Sequence, residues 1–290
     1  MRIGFIGLGN MGGPMAANLA AAGHDVRGYD TAAPMPDGVN AADSAADAAM
    51  QADVVITMLP DGAVLRAVAD QVLPAMTPGA VLLDCSTVDV DSARAVAGQA
   101  ADREVHALDA PVSGGVVGAT AGTLTFMVGG RAEALATVQP LLDVMGGRTV
   151  HCGPAGNGQA AKICNNMILG ATMAVTCEAF ALADKLGLDR QAMYDVASTS
   201  SGQSWSLTTY CPAPGIGPQS PADNDYKPGF AAELMVKDMR LAMQAADAVD
   251  AATPVGAEAL RQYAEFVETE DGRGRDFSAL LLRSSRDRRV

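Results

Sequence analysis

Gly7-Leu8-Gly9-Asn10-Met11-Gly12 stands directly after a short apolar run and opens an alanine-rich stretch. Three glycines at this spacing do three different jobs. The first permits a tight turn, the second lets a pyrophosphate approach the backbone, and the third lets the next helix lie close on the strand. A helix start adds free N–H groups and the positive end of a dipole, both suited to phosphate. Asp30 ends the following apolar run, about twenty residues on, where a carboxylate accepts the adenosine ribose hydroxyls. Thr31 follows it, where an NADP site often carries arginine, so NAD is favoured over NADP. A glycine turn alone is common; a strand before it and a helix after it make this one a dinucleotide loop.

Such a loop works at the edge of a parallel sheet, and the first half of the chain supplies the elements. Short apolar runs fall at residues 2–6, 25–29, 54–58, 81–84, 105–108, 124–128 and 149–151. Between the earlier ones lie helical stretches such as 12–22, 42–49 and 63–71. Continuous Val/Ile/Leu runs separated by helices indicate parallel strands covered on both faces. The pattern changes at Gly153-Pro154-Ala155-Gly156, beyond which only helical segments follow, around 190–198, 231–250 and 254–268. The expected fold is therefore α/β: a Rossmann doubly wound sheet over residues 1–155, a glycine-rich hinge, and an all-helical domain over 156–290 for substrate and oligomerisation. Residues 163–177 are uncharged but include Asn165, Asn166 and Thr172; they read as a buried helix, too short and polar to span a membrane. The Pro/Gly/Asn-rich segment between Cys211 and Phe230 cannot be regular, and Tyr210 and Phe230 at its ends suggest an ordered loop.

Composition sets the outer limits. A chain of 290 residues is expected to form two domains, and 49% hydrophobic with 18% charged residues is a globular composition. A net charge of −13 disfavours nucleic acid. The one basic cluster, Arg283, Arg286, Arg288 and Arg289, reads as a solvated end. Five scattered cysteines and three separated histidines give no disulfide framework and no metal site, which fits a reducing cytoplasm. The N-terminus enters a strand without the basic flank of a signal peptide.

Further motifs follow in order. Asp109-Ala110-Pro111-Val112-Ser113-Gly114-Gly115 precedes Gly118-Ala119 and Gly122-Thr123-Leu124. Then come Gly156-Asn157-Gly158-Gln159-Ala160-Ala161-Lys162, Asn165-Asn166, and Leu234-Met235-Val236-Lys237-Asp238. The series resembles the β-hydroxyacid dehydrogenase family over nearly the whole chain. Cys211-Pro212-Ala213-Pro214-Gly215-Ile216, with Tyr226-Lys227-Pro228-Gly229-Phe230, is similar to its 3-hydroxyisobutyrate dehydrogenase branch. The resemblance implies NAD-dependent oxidation of 3-hydroxyisobutyrate to methylmalonate semialdehyde, a step of valine breakdown, at a site between the two domains. It implies Lys162 in the catalytic position, Asn166 supporting the substrate, and Ser113, Gly114 and Gly115 binding the substrate carboxylate. Lys237 would serve both substrate and cofactor, and Leu59, Pro60 and Thr87 match cofactor contacts beside Gly7, Leu8, Gly9, Asn10, Met11, Gly12 and Asp30. The short loop Ala33-Pro34-Met35-Pro36 departs from the pattern near the adenine end.

The chemistry suits these residues. Hydride transfer belongs to the cofactor, and the protein must manage one proton. Lys162 could accept it if burial and nearby positive charge favour the neutral amine; its plain alternative is a side chain snorkelling to solvent. Asn166 lies one turn along. Ser113-Gly114-Gly115 follows a strand and can form a small anion nest, or simply a turn. Trp205 could wall a pocket or fill the core. The same motifs would serve a reductase of another small semialdehyde, such as tartronate or succinate semialdehyde, or a non-catalytic NAD sensor. A homodimer or homotetramer is expected.

Overall fold

The structure, a computed structural model, describes residues 1–285, so Arg286, Arg288 and Arg289 of the basic cluster lie outside the described residues. Contacts divide the chain into one unit, Met1–Lys162, and a second beginning at Ile163. The division falls seven residues beyond the boundary expected from the sequence, inside a helix rather than at the glycine turn.

The first unit is a layered α/β domain. It runs β1 (Arg2–Ile6), α1 (Gly12–Ala21), β2 (Asp25–Tyr29), β3 (Asn40–Ala41), α2 (Ala45–Ala49), β4 (Val54–Thr57), α3 (Gly62–Val72) and β5 (Val81–Asp84). Then follow α4 (Val90–Ala101), β6 (His106–Asp109), β7 (Val112–Ser113), α5 (Gly115–Ala121), β8 (Leu124–Gly129), α6 (Ala132–Met145) and β9 (Gly146–Gly153). The sheet order is β3-β2-β1-β4-β5-β6-β8-β7, with β9 beside β8. From β3 to β6 every pairing is parallel. This is the doubly wound order, with its reversal between β1 and β4.

Side chains alternate across the sheet, as a strand period of two requires. Ile3, Phe5, Val54, Ile56, Val81 and Leu83 enter the core under α1 and α6, with Met15, Leu19, Val138 and Leu141. Ile6, Val55 and Leu82 point the other way, against Leu65, Val72 and Val96 of α3 and α4. Both faces are covered, so β4 and β5 are buried along their whole length. Each fully buried Leu, Ile or Phe contributes about 1.5–3 kcal/mol.

One expectation needs correction. The run at 124–128 does not continue the parallel order of β3 to β6: β8 lies antiparallel to β6 and to β7, pairing Val112 with Phe126 and Ser113 with Thr125, while β9 runs parallel to it. The chain between β6 and β8 is spent on β7 and the short α5, leaving no full crossover helix to return it parallel.

The second unit is helical. The helix α7 (Asn157–Leu186) enters it and is followed by α8 (Arg190–Thr199), α9 (Trp205–Thr208), α10 (Ala232–Ala248), α11 (Pro254–Thr269) and α12 (Leu280–Ser284). Met173, Cys177 and Phe180 of α7 pack with Met235 and Met239 of α10, Tyr263 and Phe266 of α11, and Phe277. The long α7 is buried on one face only; Ile168, Val175, Leu182 and Leu186 are exposed along the other. The expectation of a buried helix over residues 163–177 therefore holds for one face, with Ile163, Met173 and Cys177, and not for the face that carries Ile168 and Val175. Its 30 residues are long and apolar enough to cross a membrane by length and composition, yet half of its most apolar window is packed inside the chain. Core helices of soluble proteins share that property.

The segment between Cys211 and Phe230 is ordered around a buried carboxylate. Asp276 Oδ2 accepts from Tyr210 Oη at 2.9 Å and from the N–H groups of Gly229 and Phe230 at 3.0 Å. Its Oδ1 accepts from Ser278 N and Oγ at 3.0 and 2.7 Å. Both ends of the segment are thereby tied to one residue. Trp205 is 49% exposed and stacks on Tyr210, so it does not fill the core. Arg283 is not solvated: it donates to Gln262 O at 2.8 Å and pairs with Glu265 and Glu270.

Candidate active site

The glycine loop has the three properties its spacing requires. Gly7 sits at φ +92°, a conformation closed to most side chains. A Cβ on Gly12 would stand 1.9 Å from Gly7 O, so the start of α1 touches the loop backbone. A Cβ on Gly9 would meet nothing within 4 Å. Gly9 therefore borders open space, Asn10 beside it is exposed, and no side-chain hydrogen bond caps α1. These residues fit the pyrophosphate of a dinucleotide.

Asp30 closes the loop from the end of β2. Its Oδ2 accepts from Leu8 N at 2.7 Å, while Oδ1 accepts from Ala32 N and Ala33 N at 2.8 Å. Burial pushes this carboxyl up, but the N–H groups of Ala33, Ala32 and Leu8 more than offset that, and the net shift is downward. Asp30 thus stays ionised and holds the glycine loop to β2. Three donors leave room on a carboxylate for a ribose hydroxyl.

At the same carboxyl edge, the loops after β4 and β5 are cross-linked. Leu59 N donates to Ser86 Oγ at 2.8 Å, and Ser86 Oγ donates to Asp84 Oδ1 at 2.5 Å. Thr57 Oγ1 adds a second bond to Asp84 Oδ1 at 2.7 Å. Asp84 is buried, its Oδ2 has no hydrogen-bond partner among the described residues, and burial pushes its carboxyl up to about 6 against the hydrogen bonds from Ser86 and Thr57. Thr87 is half-buried beside this network, and Pro60 is exposed.

The start of α7 is anchored by the neighbouring carboxylate. Asp109, at the end of β6, accepts from Gly156 N at 2.7 Å and from Gln159 N at 2.9 Å. Its carboxyl is raised by burial, partly offset by those N–H groups. Lys162 follows Gln159 by one turn and is 7% exposed. It does not run out to solvent.

One turn further along α7, Asn166 is 2% exposed; it accepts from Asn165 Nδ2 at 2.9 Å and donates to Asp238 Oδ2 at 2.6 Å. Lys237, next to Asp238 on α10, is half-buried.

Ser113 ends a short strand, β7, and Gly115 starts α5, where the sequence suggested an anion nest or a simple turn. Gly114 at φ +133° and Gly115 at φ +60° place two successive residues with positive φ in the connection, a conformation that favours glycine. Ser113 is half-buried and Gly114 exposed.

Sequence reasoning quoted Asp109, Gln159 and Asp238 within motifs but gave them no task, and it passed over Asp84 and the role of Ser86. The available signal was local: polar side chains at strand ends and in the first turn of an apolar helix must find buried partners.

Two family descriptions match the chain in turn. Residues 2–153 match the NAD binding domain of 6-phosphogluconate dehydrogenase, and residues 156–283 match the NAD-binding region of NADP-dependent 3-hydroxyisobutyrate dehydrogenase. The chain is 47% identical to the 3-hydroxyisobutyrate dehydrogenase of Pseudomonas aeruginosa, covering 96% of each. It is 46% identical to that organism's NAD-dependent L-serine dehydrogenase, over 90% of this chain and 91% of the relative. A solved structure of 3-hydroxyisobutyrate dehydrogenase with L-serine, from Mycobacterium tuberculosis, superposes with a TM-score of 0.93 at 49% identity, covering 97% of this chain and 98% of that one. With its Rossmann sheet, open glycine loop and buried helical lysine, the chain belongs to the 3-hydroxyisobutyrate dehydrogenase family and is an NAD-dependent 3-hydroxy acid dehydrogenase.

Proposed function

We propose that the chain oxidises 3-hydroxyisobutyrate to methylmalonate semialdehyde in valine breakdown, with Lys162 taking the hydroxyl proton. The observation that carries this reading is the enclosure of Lys162, 7% exposed, on a helix start fixed by Asp109. When bound, NAD would supply the hydride acceptor for the hydroxyl-bearing carbon. Gly7, Leu8, Gly9, Asn10, Met11 and Gly12 would hold its phosphates, Asp30 would hold its adenosine ribose, and Leu59, Pro60, Thr87 and Lys237 would make its other contacts. Ser113, Gly114 and Gly115 take the substrate carboxylate, the two glycines at positive φ forming the turn that would receive it. The Lys162 amine accepts the proton as the alcohol becomes a carbonyl, and Asn166, its amide pinned by Asp238, steadies the substrate oxygen.

A second reading is oxidation of L-serine, also a 3-hydroxy acid. Two relatives favour it: one is named for that substrate, and one solved structure contains it. Specificity lies in differential transition-state binding, so kcat/KM decides. A panel of 3-hydroxyisobutyrate, L-serine, and tartronate and succinate semialdehydes, run with NAD(H) and NADP(H), should give its highest value for 3-hydroxyisobutyrate with NAD. A higher value for another substrate rejects the assignment.

We further propose a cytoplasmic homodimer or homotetramer. The support is the row of exposed apolar side chains, Ile168, Val175, Leu182 and Leu186, down one face of α7. Light scattering at micromolar concentration tests the assembly; a monomer would reject it.

A further inference from the structure

We propose that Gln159 is a positioning residue that locks the loop carrying Thr87 to the helix carrying Lys162. The inference rests on the reading of Thr87 as a cofactor contact and Lys162 as the proton acceptor, and it assigns a task to a residue outside that set.

Gln159 is completely buried. Its Nε2 donates to Ser86 O at 2.8 Å, and its Oε1 accepts from Val88 N at 3.1 Å. Those two backbone groups flank Thr87 on either side. The carboxamide therefore binds the loop as a neighbouring strand would, with one donor and one acceptor matched to residues two apart. Gln159 N donates meanwhile to Asp109 Oδ2, so its own backbone is fixed. Ser86 carries the connection onward, because the residue whose carbonyl meets Gln159 uses its hydroxyl to hold Leu59 N and Asp84. Through one side chain, the loops after β4 and β5 are tied to the first turn of α7.

A side chain of this length needs one donor and one acceptor, which glutamine supplies at every pH. Leucine or methionine would leave Ser86 O and Val88 N without these bonds in a buried setting, where a lost partner is costly. An ionised glutamate would keep the acceptor for Val88 but set a negative oxygen against the Ser86 carbonyl. Gln159 and Lys162 are three residues apart, hence neighbours on the helix surface. A tilt of the amide would move the lysine relative to Thr87. Gln159 touches no reacting atom; it acts by fixing where others stand.

The test uses the intact protein with Gln159→Met and Gln159→Glu. NADH affinity is measured by fluorescence titration and turnover by NADH formation, both at about pH 6 and about pH 8. Gln159→Met is expected to weaken NADH binding at least fivefold and to lower kcat at least tenfold, leaving KM for the hydroxy acid within twofold. Gln159→Glu is expected to show the same losses at the higher pH and to regain part of both at the lower. There its protonated carboxyl again donates to Ser86 O. Wild-type NADH affinity in Gln159→Met, or a defect in Gln159→Glu that does not change with pH, would overturn the proposal. Should Gln159→Met fail to fold, the pH comparison within Gln159→Glu decides alone. A wild-type protein that binds NADH but oxidises no hydroxy acid would refute the proposed function, while the NADH arm would still judge Gln159.

Discussion

Asn166 Nδ2 lies 2.6 Å from Asp238 Oδ2, with both side chains buried. The bond ties the turn after Lys162 to the residue after Lys237, so two motifs 72 residues apart in sequence share one contact. A hydrogen bond to a buried carboxyl contributes about 1.5–3 kcal/mol. Asn166→Ala should therefore lower unfolding stability by about 2 kcal/mol and reduce turnover. A double-mutant cycle with Asp238→Ala in urea should show a coupling of roughly 0.5–3 kcal/mol. Strict additivity would mean that the contact does not matter in solution.

The glycines of the first loop should separate by function. Gly9 faces open space, so Gly9→Val should leave the melting temperature unchanged while weakening NADH binding tenfold or more. Gly12→Ala forces a Cβ to 1.9 Å from Gly7 O and should cost about 1–3 kcal/mol of stability as well as affinity. Thermal melts paired with NADH titrations check both. A destabilised Gly9→Val protein would place that residue in packing instead.

Asp30 predicts an acid-side effect. Its folded-state carboxyl titrates below the ordinary value of 3.8, held there by the Ala33, Ala32 and Leu8 N–H groups against burial. A depressed carboxylate stabilises the fold above the unfolded value, and this contribution disappears as pH falls through the folded one. Asp30→Asn should be less stable than wild type at neutral pH, and the gap should close below about pH 3.8. The same variant should bind NADH more weakly and discriminate less against NADPH. An unchanged NADH/NADPH preference would remove Asp30 from cofactor selection.

Asp84 predicts the opposite sign. Burial raises its carboxyl from 3.8 to about 6, overcoming the bonds from Ser86 and Thr57. The folded state favours the protonated acid, so this stabilisation is full below 3.8 and is lost as pH rises through about 6. Asp84→Asn lacks the titration. Its stability penalty should be smaller at pH 8 than at pH 5, by about 1 kcal/mol. Equal penalties in urea denaturation at the two pH values would show that Asp84 titrates normally.

What could be read in advance depended on how local the signal was. The glycine loop, β1, β2 and β5 are short-range patterns, and their bounds agree with the residues that carry them. Two-residue strands such as β3 and β7 hold too few residues for any period to show, and the reversal of β8 depends on which neighbour it meets. One apolar face of α7 suggested burial, but composition cannot say that the opposite face would keep Ile168 and Val175 exposed. The candidate site divides the same way. Gly7 to Gly12 and Asp30 were legible because spacing alone defines them. The partners Asp109 with Gln159 and Asn166 with Asp238 join residues 50 and 72 positions apart, a relation that only folding creates.

The central claim concerns the proton on the substrate hydroxyl, and Lys162→Ala tests it most directly. Cofactor titration and NADH formation from 3-hydroxyisobutyrate would be measured on the same purified protein. Removing a general base costs about 10²–10⁴ in rate. NADH affinity should stay near that of wild type while kcat falls by that factor. Wild-type turnover by Lys162→Ala would contradict the account, because no proton acceptor would then reside at the start of α7.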